Sequence, residues 1–123
     1  MPVGSEQRAR KVINGYGDGG FRIAGERVEG SIIVFPERFM PWPVTDAGRL
    51  QADDLQPLID AAGRIDILLL GCGAGAPAVD PALRSLLREH GILVDVMDTG
   101  AACRTFNILL TESRAIAAAL IAV

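Results

Sequence analysis

Two groups of residues could do chemistry. The first is Gly71-Cys72-Gly73-Ala74-Gly75, placed directly after the apolar run Ile65 to Leu70. A thiolate at Cys72 would be a nucleophile if a base stood near it and a positive helix end lowered its pKa. The single histidine, His90, is expected at the opposite end of the layer from that loop, so the pair lacks a base and Cys72 reads as a small apolar residue. The glycines could also let backbone N–H groups approach an anion. Pro77 and Asp80-Pro81 interrupt the entry into the next helix and no Lys-Ser/Thr follows, which favours a tight structural loop. The second group is Thr99, Arg104, Thr105 and Asn107, carried on a helix that starts at Asp98 or Thr99. Thr99 could leave helix N–H groups available to an anionic ligand, outside the carboxyl ends of the strands where open α/β sheets bind ligands. The same side chains have structural uses: Thr99 as a cap, Arg104 against a surface carboxylate, Asn107 as an amide tie between sheet edge and helix. The candidate ligand set is therefore Gly71, Cys72, Gly73, Thr99, Arg104, Thr105 and Asn107. Two cysteines and one histidine do not make a tetrahedral zinc site, and no carboxylates form a defined acid–base pair, so no metal, cofactor or catalytic residue is expected.

A third group points to recognition. Phe39, Met40 and Trp42 stand among Pro36, Pro41 and Pro43, in a stretch that excludes regular helix or inner strand from Pro36 to Asp46. Aromatic residues on a stiffened surface crossing suit a partner interface, and these three are the candidate partner-binding residues. The competing use for Trp42 is to fold back over one end of the core. Tyr16 and Phe21 are expected to plug the core.

The elements that would position these groups follow from pattern. Residues 1–11 carry no apolar periodicity and are expected to be a flexible N-terminal arm, followed by one α/β domain over 12–123. From Val12 to Phe35, short apolar runs are broken by Gly-Asp-Gly-Gly, Ala-Gly and Glu-Gly, which are hairpin signals. Asp53 caps a helix through Ala62, ended by Gly63, and Ile65 to Leu70 forms a strand buried on both faces. Asp80-Pro81 opens a helix that Gly91 stops, Ile92 to Met97 gives another inner strand, and the next helix reaches about Leu110. Right-handed crossovers make these strands parallel. Arg114 to Val123 favours helix by its alanines and strand by Ile116, Leu120, Ile121 and Val123. Thr111-Glu112-Ser113 supplies a polar break before it.

Composition narrows the function classes. With 123 residues, half of them hydrophobic, and a formal charge of −3 with scattered basic residues, the chain suits a compact domain and lacks the positive field that would attract nucleic acid. Its longest apolar run near the end, Ala115 to Val123, is well short of the ~20 residues a spanning helix requires, so no membrane insertion is expected. The polar start carries no secretory signal, and a cytoplasmic protein with reduced cysteines is the expectation.

Asn14-Gly15-Tyr16-Gly17-Asp18-Gly19-Gly20-Phe21, Gly30-Ser31 leading to Phe35-Pro36, Gly71-Cys72-Gly73, and Met97-Asp98-Thr99 through Asn107 together resemble a widespread family of single-domain proteins of uncharacterised function. That family includes a mitochondrial assembly factor for respiratory complex I (NADH dehydrogenase) and the adipogenesis-associated domain proteins. The resemblance spans about Val12 to Val123 and suggests a bacterial-type member. It implies a three-layer α/β domain: a mixed, mostly parallel central sheet, flanking helices, and a small added β layer from the N-terminal Gly-rich hairpins. It also implies that the last segment is a strand inserted antiparallel into the sheet. Many relatives carry Thr between the two glycines where this chain has Cys72, which weakens any ligand role for a hydroxyl there. The implied function is a non-catalytic accessory or assembly protein that binds a protein partner, such as a membrane complex during its assembly. The alternative is a binder of a small anionic molecule, or an enzyme, with its site at the Gly71–Gly73 loop and the Thr99 helix end.

Overall fold

The Gly-rich start folds into a three-stranded antiparallel meander, β1 (Ile13–Gly17), β2 (Gly20–Ile23) and β3 (Glu26–Glu29). Both turns are two-residue loops with positive φ at each position, Asp18-Gly19 at 53° and 78° and Ala24-Gly25 at 50° and 86°. That backbone twist matches the twist of paired strands, which explains the Gly at each second position. Arg27 braces the first turn, donating to the carbonyls of Gly17 and Asp18 at 3.1 and 2.7 Å while pairing with Glu29 at 2.8 Å. These features come from a computed structural model that describes residues 10–75, 79–112 and 115–123. The arm expected over residues 1–11 lies outside the described residues up to residue 9, as do Pro77, Ser113 and Arg114. Lys11 is in contact with the domain, its N–H donating to the carbonyl of Pro36 at 2.8 Å.

The second sheet is mixed, in the order β5-β4-β8-β6-β7, from β4 (Ile32–Val34), β5 (Phe39–Pro41), β6 (Ile67–Gly71), β7 (Leu93–Met97) and β8 (Ile116–Leu120). The Ser31 to Phe35 run thus leaves the hairpins and enters this sheet. β8 is a strand, as the resemblance implied, but its direction needs correcting: it runs parallel to β6 and antiparallel only to β4. The sheet is evenly mixed rather than mostly parallel, since β4 pairs antiparallel with both β5 and β8. β7 is a sheet edge and not an inner strand; Asp95 breaks its apolar run, and Leu93 is left 63 % exposed.

Helix propensity in Ala117-Ala118-Ala119 is overridden by burial on both faces. Ala118 and Leu120 join Ile32, Val34 and Leu69 against Phe21, Ile23 and Phe106. Ala117 and Ala119 join Ile33, Leu68 and Leu70 against Trp42, Leu55, Leu58, Leu83 and Leu87. A residue whose helical preference is worth a few tenths of a kcal/mol loses to full burial between two paired strands. Small side chains on β8 also let the helix above it come close.

The described residues also form three α-helices. α1 (Gln56–Asp60) follows a 3-10 turn over Ala52–Leu55. The start of that turn is secured by the Asp54 carboxylate accepting from the Gln51 N–H at 2.8 Å, not by Asp53 as a cap, and α1 itself has no side-chain cap. α2 (Pro81–Glu89) begins as its sequence predicts, with Pro81 in the first turn and the Asp80 side chain accepting from Ala82 N–H at 2.9 Å. α3 (Thr99–Thr111) is capped by Asp98, whose carboxylate accepts from Ala101 N–H at 2.8 Å. Among the described residues no helix is long and apolar enough to cross a membrane.

Candidate functional site

The loop after β6 and the start of α3 do meet, as the sequence suggests, but their polar atoms are committed to each other. Thr99 is the first residue of α3 and is fully buried. Its hydroxyl donates to the carbonyl of Ile121 at 2.7 Å and accepts from the N–H of Gly73 at 2.9 Å, while its own N–H donates to the Gly73 carbonyl at 2.9 Å. One side chain therefore stitches the β6 exit loop, the β8 exit and the helix start. A Cβ on Gly71 would sit 3.0 Å from the Thr99 Cα and 3.2 Å from the Ala102 Cβ, so glycine is required for this approach of helix to strand. The positive end of α3 already faces the Asp98 carboxylate, which offsets the field an anion would seek.

Cys72 is half-buried, with its Sγ 3.8 Å from the Leu70 carbonyl oxygen. The β6–β7 register pairs Leu93 with Ile67 and Met97 with Gly71. His90, at the end of α2, thus lies beyond the start of β7, while Cys72 lies beyond the finish of β6. At ~3.3 Å per residue the two are separated by roughly 15 Å or more along the sheet. Cys103 is buried in α3, and burial pushes its thiol up to about 12. It is inert at neutral pH. Neither cysteine is in a disulfide, and the described residues hold no group of three or more His, Cys, Asp or Glu able to bind a metal ion.

The rest of the polar cluster on α3 docks the hairpin sheet. Asn107 Oδ1 accepts from Ile13 N–H at 2.9 Å and its Nδ2 donates to the Ile13 carbonyl at 2.8 Å, so the amide replaces a neighbouring strand at the irregularity between Ile13 and Gly15. Arg104 donates to the Tyr16 hydroxyl at 2.9 Å. Tyr16 is 44 % exposed and so is not the core plug expected; its ring lies over Gly100, where an added Cβ would meet the phenol oxygen. Phe21 is the plug, fully buried. Thr105 is half-buried on the same helix.

A cavity of about 480 Å³ does open beside the loop, lined by Cys72, Gly73 and Ala74, by Thr45 to Gly48, and by Ile121 to Val123. Asp46 on its wall accepts from Gly48 N–H at 2.8 Å. Thr99, Arg104, Thr105 and Asn107 do not line it. The Thr45 to Gly48 side was not legible in the sequence, because it depends on the path of the proline-rich segment.

That segment corrects another expectation. Trp42 is 3 % exposed, packed among Phe35, Val44, Leu55 and Leu58, and its indole N–H donates to the Asp54 carbonyl at 2.8 Å. It is core, because the segment folds back over the sheet and Asp54 offers an acceptor. Phe39 and Met40 are half-buried on the edge strand β5. Sequence reasoning missed what lies beside them. Arg38 and Arg64 share the walls of two adjoining cavities of about 550 and 280 Å³, with Met40, Pro57, Asp60, Ala61 and Gly63 around one and Phe35, Pro36 and Glu37 around the other.

Fold and side-chain network thus define a mixed α/β domain of two sheets in which the reactive-looking residues of α3 serve cohesion. The chain belongs to the family described as protein of unknown function (DUF498/DUF598), whose model matches residues 13–121. It is 38 % identical to an uncharacterised protein of Rhodobacter capsulatus over 109 residues, covering 89 % of this chain and 82 % of that one. It is 37 % identical to the NADH dehydrogenase [ubiquinone] 1 alpha subcomplex assembly factor 3 of Xenopus tropicalis, over 89 % of this chain and 60 % of that protein. This chain therefore spans well under the full length of that animal factor. Among solved structures, one described as an outer membrane protein from Bartonella henselae superposes with a TM-score of 0.86 at 40 % identity, covering 94 % of this chain and 97 % of that one. A Bordetella pertussis protein described as an Mth938-like domain matches with a TM-score of 0.80 at 28 % identity, covering 92 % and 86 %.

Proposed function

We propose that this chain is a non-catalytic accessory protein that binds other proteins while a multi-subunit membrane complex is assembled, with respiratory NADH dehydrogenase as the client class. The observation that carries this reading is the use of Thr99, Arg104 and Asn107 in internal bonds that hold the loop, the helix and the hairpin sheet together. The assembly-factor relatives support it. On this reading residues 12–123 act as one three-layer domain in the cytoplasm, without inserting into the membrane, and offer a surface around Phe39 and Met40 to the partner. The test is deletion of the gene in its native cell, followed by native gel electrophoresis and NADH dehydrogenase assay of the membranes. A deficit of the mature complex that wild-type protein restores is expected; full assembly in the deletion strain would overturn the reading.

The cavity beside Cys72 favours a second reading, a small-molecule site at the Gly71–Gly73 loop. Its lining carries the Asp46 carboxylate and no cationic side chain, so an anion fits it poorly. Native mass spectrometry of the purified protein decides: a stoichiometric adduct lost on a Gly73→Trp substitution would establish the site.

A further inference from the structure

We infer that an extended, acidic segment of a partner protein docks in the groove between β5 and α1, its backbone along β5 and its carboxylates on Arg38 and Arg64. The inference rests on the accessory-protein reading and names the surface and the chemistry of its partner.

Three observations converge on this groove. The first is a sheet edge: among the described residues no strand pairs with the outer side of β5. Phe35 N–H donates to the Arg38 carbonyl at 2.7 Å and Trp42 N–H to the Ser31 carbonyl at 2.9 Å. These bonds fix the alternation of the antiparallel β4–β5 ladder, which pairs Ile33 with Met40 and turns the N–H and C=O of Phe39 outward. Such groups template an added strand. Pro41 has no N–H, so the edge offers a short stretch of pairing and not an indiscriminate one.

The second is charge. Arg38 and Arg64 come from separate parts of the chain and are both exposed, yet line the same two cavities. Arg38 lies over the Phe35 ring at 4.1 Å, which holds its guanidinium in place, and Lys11 approaches the Phe39 ring at 6.0 Å. Among the described residues the ion pairs are Arg27–Glu29 and Arg49–Asp46, so neither Arg38 nor Arg64 is spent on a carboxylate. In a chain of net charge −3, this gathering of cations at one edge complements an acidic partner. Glu37 and Asp60 stand in the two cavities and would repel carboxylates placed beside them, which selects among registers. The third is the groove's floor, where Met40, Pro57 and Ala61 offer apolar contact to alternate side chains of an extended segment.

The test is a titration of the isotopically labelled protein with a short peptide alternating Glu with Val and Thr, beside the same peptide with Gln for Glu. The acidic peptide should shift the Phe39 amide and the Arg38 and Arg64 guanidinium signals, and bind roughly ten-fold or more tightly than the glutamine peptide. Added salt should weaken it. The Arg38→Glu/Arg64→Glu variant, checked for an unchanged melting temperature, should lose this binding, and Arg38→Lys/Arg64→Lys should keep part of it. Equal binding of both peptides, shifts mapping elsewhere, or no binding at millimolar peptide would overturn the inference. So would displacement of the peptide by inorganic phosphate with shifts confined to the guanidiniums, which marks a simple anion site. In the deletion strain, full rescue by Arg38→Glu/Arg64→Glu would overturn the docking surface and leave the accessory role standing.

Discussion

Asn107→Ala should separate the hairpin sheet from α3 without touching the central sheet. The wild-type amide makes two bonds to the Ile13 backbone, and Ile13 is buried, so water does not replace the lost partner freely. Two hydrogen bonds at ~0.5–1.5 kcal/mol each set a lower range, and stranding a buried N–H and C=O adds toward ~1–3 kcal/mol apiece. Alanine's better helix propensity returns ~0.5 kcal/mol. The net expectation is a loss of about 2–4 kcal/mol, or about 10 °C in melting temperature for a domain of this size. Asn107→Asp sharpens the test. Its carboxylate keeps the acceptor for Ile13 N–H but turns a lone pair on the Ile13 carbonyl, so its folded-state pKa is raised above the ordinary value of ~3.9. A raised pKa gives stability that is present at low pH and lost as pH climbs through it, when the protonated O–H can no longer donate. The assay is calorimetric melting of wild type and both variants from pH 4 to 8, with amide exchange over Gly15 to Val28. If Asn107→Ala melts within about 2 °C of wild type, or Asn107→Asp shows no gain relative to wild type on acidification, the clamp does not hold the sheet.

Thr99→Val keeps shape but removes the hydroxyl between Ile121 and Gly73; a loss of about 2–3 kcal/mol is expected in denaturant melts, largely recovered in Thr99→Ser. Trp42→Ala should cost about 3–5 kcal/mol of stability, and native tryptophan emission should be blue-shifted; red-shifted emission would place the indole in water. Cys103, whose burial raises its pKa to about 12, should resist iodoacetamide at pH 8 until the protein is unfolded, and fast native-state labelling confirmed by peptide mapping would contradict its burial.

Local chemistry was the legible part of the chain. The caps at Asp80 and Asp98, the Pro81 helix start and the two tight turns are written in adjacent residues, and they form as their types dictate. Asn107 was readable as a tie but its partner was not, because the bond spans 94 positions. β8 needed the family resemblance, since its alanines favour helix until two strands enclose them. The parallel pairing with β6 and the edge position of β7 are matters of strand order, which periodicity does not encode. Trp42 failed for the same reason: proline-rich chain is ordinarily surface, and only the tertiary path brings the Asp54 carbonyl to the indole. Arg38 and Arg64 were invisible as a pair, because their meeting depends on the β4–β5 hairpin reaching the turn after α1.

The place of β8 has a consequence for how the protein is made. β4 and β6 do not pair with each other; each pairs with β8, which leaves the ribosome after both. Until Ile116 to Leu120 emerges, the nascent chain carries two hydrophobic strands whose facing edges are open, waiting on contacts far apart in sequence. That interval is when illegitimate pairing with other nascent chains is easiest. Premature termination before residue 116 would yield a molecule with almost every element of the fold and no continuous central sheet, a substrate for chaperones and proteases.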